Sequence, residues 1–205
     1  MQMDNIDKRL VSILLHDGRR SLSDMKSQLG ISHVAIGKRL EKLLNEDVVR
    51  VTTAVNLRKL DAKLLFIAIE TENSEVAERI VHKYADCPRL VMLAPVTGRY
   101  NLFAIMIAED VWSLESTMGT CSLRTEPGVR KSETWFGNAP LVPTYMPLDL
   151  APGSGKREAP CGKNCSECKR YTDDKCSGCP ATSHYRGVLW RSPMTEPRRR
   201  SRKKS

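Results

Sequence analysis

Leu29-Gly30-Ile31-Ser32 divides two short amphipathic segments with a link too tight for either to run on. Ser21 opens the first segment, where Leu22, Met25 and Leu29 share one face and Gly30 stops the run. Ser32 caps the second, which turns Ile36, Leu40 and Leu43 inward. Upstream, Asp4 caps a helix carrying Ile6, Leu10, Ile13 and Leu14 at helical spacing, and Asp17-Gly18 ends it. Two short helices joined by a Gly-containing turn, behind a first helix, predict a helix-turn-helix within residues 4–45. In that motif the second helix of the pair enters the DNA major groove, and its first turns meet base edges.

With Ile36, Leu40 and Leu43 inward, His33, Lys38, Glu41 and Lys42 face outward, and Ala35 and Arg39 lie on the flank. Ser32 and His33 can donate to phosphates or bases, and Ala35 can touch a thymine methyl. Lys38, Arg39 and Lys42 suit phosphates or guanine. A three-helix protein-interaction module with charged outer faces is the alternative. Gly37, inside the reading helix, costs about 1 kcal/mol relative to Ala; it either lets DNA approach the backbone or is simply tolerated.

The formal charge of +9 is unevenly spread. Residues 1–60 carry a net +4, residues 61–147 a net −3, residues 148–190 a net +2 and residues 191–205 a net +6. An acidic middle between basic ends suits a nucleic-acid binder with a separate regulatory or assembly domain. The tail Arg198-Arg199-Arg200-Ser201-Arg202-Lys203-Lys204 is expected to be disordered and to suit non-specific phosphate contacts. The longest apolar stretch, Leu64 to Ile69, is far too short for a membrane span, and the first residues lack a signal-peptide pattern. The expectation is a cytoplasmic, nucleoid-associated protein whose cysteines stay thiols or bind metal.

Beyond a link through Val48–Leu60, strand and helix patterns alternate: strand Leu64–Glu70, helix Ser74–Ala85, strands Leu90–Val96 and Tyr100–Ala108, helix Asp110–Cys121, strand Val129–Phe136. The order βαββαβ predicts a ferredoxin-like sandwich. Two helices on one sheet face leave the other seeking a partner, so a homodimer or higher homo-oligomer is expected. Cys87 and Cys121 are isolated, beside apolar segments, and read as small core residues.

Several of these runs resemble the leucine-responsive regulator (Lrp/AsnC) family: Asp4-x-x-Asp7…Leu14, Asp17-Gly18-Arg19, Leu29-Gly30-Ile31-Ser32 and Lys38-Arg39-Leu40-x-x-Leu43. Thr97-Gly98-Arg99-Tyr100-Asn101-Leu102 is similar to the loop of that family's amino-acid-binding domain, and Pro127-Gly128-Val129 to the turn before its last strand. The resemblance covers roughly residues 4–137 and implies a DNA-binding transcriptional regulator. It also implies an amino-acid-like effector near Gly98, Arg99 and Asn101, which read otherwise as a plain hairpin turn. Three positions depart from the family pattern. Lys26 replaces a small Ala against the third helix, Asp47 a helix-ending Gly, and Asn101 an Asp.

Residues 138–160, with Pro140, Pro143, Pro147, Pro152, Gly153-Ser154-Gly155 and Pro160, read as a linker. After it comes Cys161-x3-Cys165-x2-Cys168-x7-Cys176-x2-Cys179, five of the seven cysteines within nineteen residues. Paired C-x2-C knuckles let two thiolates reach one ion, so zinc is expected, with Cys161 or His184 as the spare ligand; an iron–sulfur cluster is the competing occupant. The first three cysteines mimic a radical S-adenosylmethionine triad, but the 37 residues that follow Cys168 cannot supply that class's barrel. Nor does the spacing follow the copper type of metal-sensing relatives. Residues 161–190 are too few to bury a core alone, so a metal-stabilised knob is predicted. Tyr185 and Trp190 would pack on it or on another subunit.

The predicted layout is α+β. A winged-type helix-turn-helix with a connecting strand (1–60) precedes a ferredoxin-like regulatory domain (61–137), the linker (138–160), the Cys-rich segment (161–190) and the tail (191–205). A regulator, not an enzyme, is the reading these features support. One alternative is a sirohaem-decarboxylase-like enzyme on the same two-domain plan, disfavoured because residues 61–137 hold only His82. A zinc-knob interaction scaffold is the other.

Overall fold

The structure is a computed structural model that describes residues 2–121, 123–152 and 156–190. The basic tail and the centre of the Pro-rich segment, Gly153-Ser154-Gly155, lie outside the described residues. The chain divides into two compact units, Met1–Thr53 and Ala54–Ser205.

The first unit consists of α1 (Asn5–His16), α2 (Leu22–Leu29) and α3 (His33–Asn45). Asp4 caps α1 by accepting from the backbone N–H of Ile6 and Asp7, while the Asp7 carboxylate accepts from Asp4 N–H. This reciprocal box satisfies donors that the helix itself leaves orphaned. Ser21 and Ser32 cap α2 and α3 through the N–H groups of Asp24 and Ala35. Gly30 closes α2 at φ 70°, the left-handed conformation that a tight turn needs and that a side chain resists. Leu10, Met25, Leu29, Ile36 and Leu43 form the core, so the helical spacing read from sequence is the packing observed.

Two details correct the sequence expectations for this unit. It holds no strand among the described residues, so the motif is not winged. The extended residues after α3 have no strand partner there, and β1 (Val55–Asn56) pairs instead with β6 (Tyr145–Met146) in the second unit. Gly37 faces Leu22 of α2 rather than outward, and a Cβ there would meet Leu22 Cδ1 at 3.4 Å. A methyl at Gly37 would make ordinary contact with Leu22, so the glycine is tolerated there rather than required, and Lys26 is exposed.

The second unit is built on β2 (Lys63–Thr71), α4 (Ser74–Tyr84), β3 (Leu90–Pro95), β4 (Leu102–Ala108), α5 (Val111–Gly119) and β5 (Val129–Asn138). The sheet order is β3-β4-β2-β5, antiparallel throughout, which is the ferredoxin-like arrangement. Leu65, Ile67 and Ile69 of β2 alternate onto one face and join Val76, Ile80 and Tyr84 of α4 and Leu114 of α5. Glu126 accepts from Lys83 Nζ at 2.8 Å and from Tyr84 Oη at 2.8 Å. Burial pushes its carboxyl up, but these two bonds outweigh that and hold it below the ordinary value.

The opposite sheet face is partly covered by this chain. Leu64 and Ile107 pack with Leu57, Tyr185 and Trp190, and Met146 and Leu148 add to the cover. Part of the segment expected to be a linker therefore lies on the sheet. The Cys-rich segment is likewise no separate knob. Ala159, Cys161, Cys179 and Ala181 belong to the same core as Ile80 and Leu114. The segment instead joins the core of the neighbouring domain.

Candidate nucleic-acid interface and cysteine cavity

On α3, Ser32, His33, Lys38 and Lys42 are exposed and Ala35 is half-buried. Ile36 and Leu43 are fully buried on the opposite side. Ser32 already accepts from Ala35 N–H as the cap, which leaves its hydroxyl proton free to donate outward. Lys42 Nζ is 4.0 Å from Glu46 across one exposed helical turn, a loose pair that a phosphate can displace.

Arg39 departs from expectation. Its Nη1 sits 2.7 Å from Asp4 Oδ2 and 2.7 Å from Asp7 Oδ1, the carboxylate oxygens that the capping box leaves over. Backbone donation from Asp7 and the Arg39 bond hold the Asp4 carboxyl below its ordinary value. Arg39 therefore ties α3 to the start of α1 rather than pointing toward a groove. Arg9 adds a second tie by donating to the carbonyl of Gln28.

In the second unit Gly98 has φ 144° in the turn between β3 and β4. Arg99 lies 5.8 Å from the Tyr100 ring. The Asn101 side chain is fully engaged with the end of β2. Its Oδ1 accepts from Thr71 N–H at 2.9 Å, and its Nδ2 donates to Thr71 Oγ1 at 2.9 Å and to the Thr71 carbonyl at 3.3 Å. An amide, offering both donor and acceptor, makes this bracket where a carboxylate could only accept.

All seven cysteines line one cavity of about 420 Å³. Cys165 opens a short 3-10 turn and Cys168 precedes α6 (Lys169–Thr172), while Cys176 and Cys179 flank the turn at Gly178. Gly178 has φ 85°, and a Cβ there would press on the His184 carbonyl at 2.6 Å, so this turn requires glycine. Cys161 enters from the turn after Ala159. Cys87 and Cys121, expected as small core residues, do pack in or against the core, and they also line this cavity from just beyond the ends of α4 and α5.

The sulfurs have defined surroundings. Cys165 Sγ accepts from Cys179 N–H at 3.3 Å, and Cys176 Sγ from Gly178 N–H at 3.4 Å. Hydrogen bonding from Cys121, helped by backbone N–H groups, outweighs burial and holds the Cys161 thiol down at about 6; the same contact and burial push Cys121 up. Burial raises Cys87 to about 11 and Cys179 to about 12. His184 is not among the lining residues, and its buried Nε2 has no hydrogen-bond partner among the described residues. Among these residues no three Cys, His, Asp or Glu side chains converge on a single ion position. The seven cysteines thus line a shared space without meeting at one point, beside polar residues such as Arg89, Ser116 and Glu158.

The Cys-rich segment is fastened to the rest of the unit by polar contacts. Ser113, Ser116 and Thr117 of α5 are buried, while Trp112 of the same helix is exposed. Ser116 Oγ donates to the Lys175 carbonyl at 2.8 Å and accepts from Arg170 Nε at 2.6 Å. Ser113 Oγ meets Ser177 Oγ at 2.6 Å. Small hydroxyl residues at positions i, i+3 and i+4 were the signal in the sequence: a helix face shaped to receive backbone.

A helix-turn-helix unit joined to a ferredoxin-like unit defines a class, the two-domain DNA-binding transcription regulators. Residues 3–44 match the AsnC-type helix-turn-helix domain. An HTH-type transcriptional regulator of Pyrococcus furiosus, FL11, is 33% identical over 105 residues, 49% of this chain and 67% of that protein. An uncharacterised HTH-type transcriptional regulator of Pyrococcus abyssi is 29% identical over 136 residues, 65% of this chain and 85% of its own. The structure of AsnC from E. coli shares the fold, with a TM-score of 0.58 at 19% identity over 67% of this chain and 93% of that one. The chain belongs to the Lrp/AsnC family of helix-turn-helix regulators and is a DNA-binding transcriptional regulator. Among the described residues no helix is long and apolar enough to cross a membrane.

Proposed function

We propose that α3 reads an operator through Ser32, His33, Ala35, Lys38 and Lys42, with Arg39 positioning the helix instead of touching DNA. The carrying observation is the exposed row on α3 behind a fully buried Ile36 and Leu43. Lys38 and Lys42 would supply phosphate or guanine contacts, and the first turn of α3 would supply base-edge contacts. The protein acts as a regulator and not as an enzyme, in keeping with the regulator names of its relatives.

The working unit is a homodimer or higher homo-oligomer on a pseudo-palindromic site, since a two-fold protein matches two half-sites. Met92 and Trp135 of the sheet are exposed and offer apolar surface to a second copy. An amino-acid-like effector would be met at Gly98 and Arg99, with Asn101 shaping the loop from behind. The five cysteines of the extension, Cys161, Cys165, Cys168, Cys176 and Cys179, would hold a metal centre, either zinc or an iron–sulfur cluster. Such a centre would pin the extension to α5.

Selection of bound fragments from genomic DNA, followed by hydroxyl-radical footprinting, tests the DNA reading. Two protected half-sites about one helical turn apart are expected. A single protected patch without symmetry would overturn the dimeric reading.

A further inference from the structure

We propose that the seven-cysteine cavity takes an iron–sulfur cluster, bound by thiolates of the extension against a wall that Cys87 and Cys121 of the regulatory domain complete. This rests on the reading that the extension holds a metal centre; it goes further by naming that centre and by adding two cysteines distant in sequence to its surroundings.

Size and donor chemistry carry the argument. A zinc ion draws four thiolates to one point at about 2.3 Å each. A cluster takes its thiolates at separate irons, so its ligands stand around a volume. Here seven cysteines line a cavity of about 420 Å³, and they come from three stretches of chain: the turn at Cys161, the loops flanking α6, and the residues just beyond α4 and α5. Four thiolates are required and the extension alone supplies five.

The lining suits a cluster in other respects. Cys165 and Cys176 sulfurs each accept a backbone N–H, at 3.3 and 3.4 Å. Hydrogen bonds to the sulfurs offset the negative charge of a thiolate-ligated cluster and tune its potential. Ala159 is buried and, with Pro160 and the Tyr171 ring, supplies apolar wall. Glu158, Lys163 and Glu167 line the cavity as exposed residues, so the charged groups there remain in water. Arg89 is the one buried cation of the lining, and Glu109 already neutralises it.

The test is elemental and sulfide analysis of the full chain purified without oxygen and reconstituted with ferrous iron and sulfide. Iron and sulfide in equal amounts, about two to four of each per chain, are expected, with broad visible absorption that bleaches on reduction. One zinc per chain without sulfide would overturn the cluster and leave the metal-centre reading standing. Protein that takes up neither would overturn both. The double variant Cys168→Ser/Cys176→Ser leaves three extension cysteines and should lower bound iron several-fold; full retention would overturn the ligand assignment. Cys121→Ser should keep the iron yet lose it several-fold faster in air. An unchanged rate of loss would remove Cys121 from the wall.

Discussion

Arg89 and Glu109 meet inside the second unit as a bidentate ion pair, Nη1 to Oε2 at 2.7 Å and Nη2 to Oε1 at 3.3 Å, with both side chains 4% exposed. Each is also held by the Cys-rich segment. Arg89 Nη2 donates to the Gly178 carbonyl at 2.9 Å and its guanidinium lies 4.8 Å from the Trp190 ring, while Glu109 accepts from Ser177 Oγ. The pair thus joins β4 and the start of β3 to two separate parts of the extension.

Glu109→Gln leaves Arg89 buried beside a neutral amide. Removing one partner of a buried pair costs about 3–5 kcal/mol. Chemical denaturation should show a loss of that order, and limited proteolysis should cut the extension sooner than the helix-turn-helix. A loss confined to a few tenths of a kcal/mol would mean the pair does not fasten the extension.

The same residue gives the second unit an acid limit. Burial pushes the Glu109 carboxyl up, but the Arg89 charge and hydrogen bonds, with Ser177, outweigh it and leave the value below the ordinary 4.5. A carboxyl depressed in the folded state contributes stability that is full above its unfolded pKa and lost as pH falls through the folded one. Glu126 shifts the same way. Stability should therefore be flat near neutrality and fall below about pH 4.5. In Glu109→Gln the acid slope should be shallower, as followed by denaturation midpoints across pH.

Arg39→Ala and Lys38→Ala should separate cleanly. Arg39 bonds Asp4 and Asp7, so its loss should lower the melting temperature of the first unit and weaken DNA binding only through that loosening. Lys38 is exposed without a salt-bridge partner among the described residues, so its loss should leave melting unchanged and weaken DNA binding about tenfold. Equal melting temperatures for the two variants would contradict the assignment.

Two substitutions should stabilise the first unit. Gly37→Ala places a methyl in ordinary contact with Leu22 and removes a helix-interior glycine, worth up to about 1 kcal/mol. Asp47 follows α3 at φ 52°, where a side chain is strained, so Asp47→Gly should gain about 1 kcal/mol. Thermal unfolding of each variant checks both; a destabilised Gly37→Ala would mean α2 and α3 pack more closely than this geometry.

What the sequence revealed followed from local rules. Caps at Asp4, Ser21 and Ser32 and the spacing of Leu10, Met25 and Ile36 are short-range signals, and they fix the three helices. The βαββαβ order was equally readable from periodicity. What was not readable depended on distant partners. Nothing near Cys87 or Cys121 in the chain points to cysteines 40 or more residues away. The alternation of α5 reads as ordinary until the extension is seen to bury Ser113, Ser116 and Thr117. Arg39 looked like a groove contact because its carboxylate partners lie more than thirty residues upstream. The knob expectation failed on the same ground, since chain length sets what a segment can bury alone and says nothing of a neighbour's core.

The salt dependence of operator affinity bears most directly on α3 as the reading helix. Log–log plots of affinity against salt fall with a slope of about −0.9 per neutralised phosphate. For Lys38→Ala/Lys42→Ala the account predicts a slope shallower by about two, with much weaker binding at every salt concentration. An unchanged slope and affinity would show that DNA is held by some other surface.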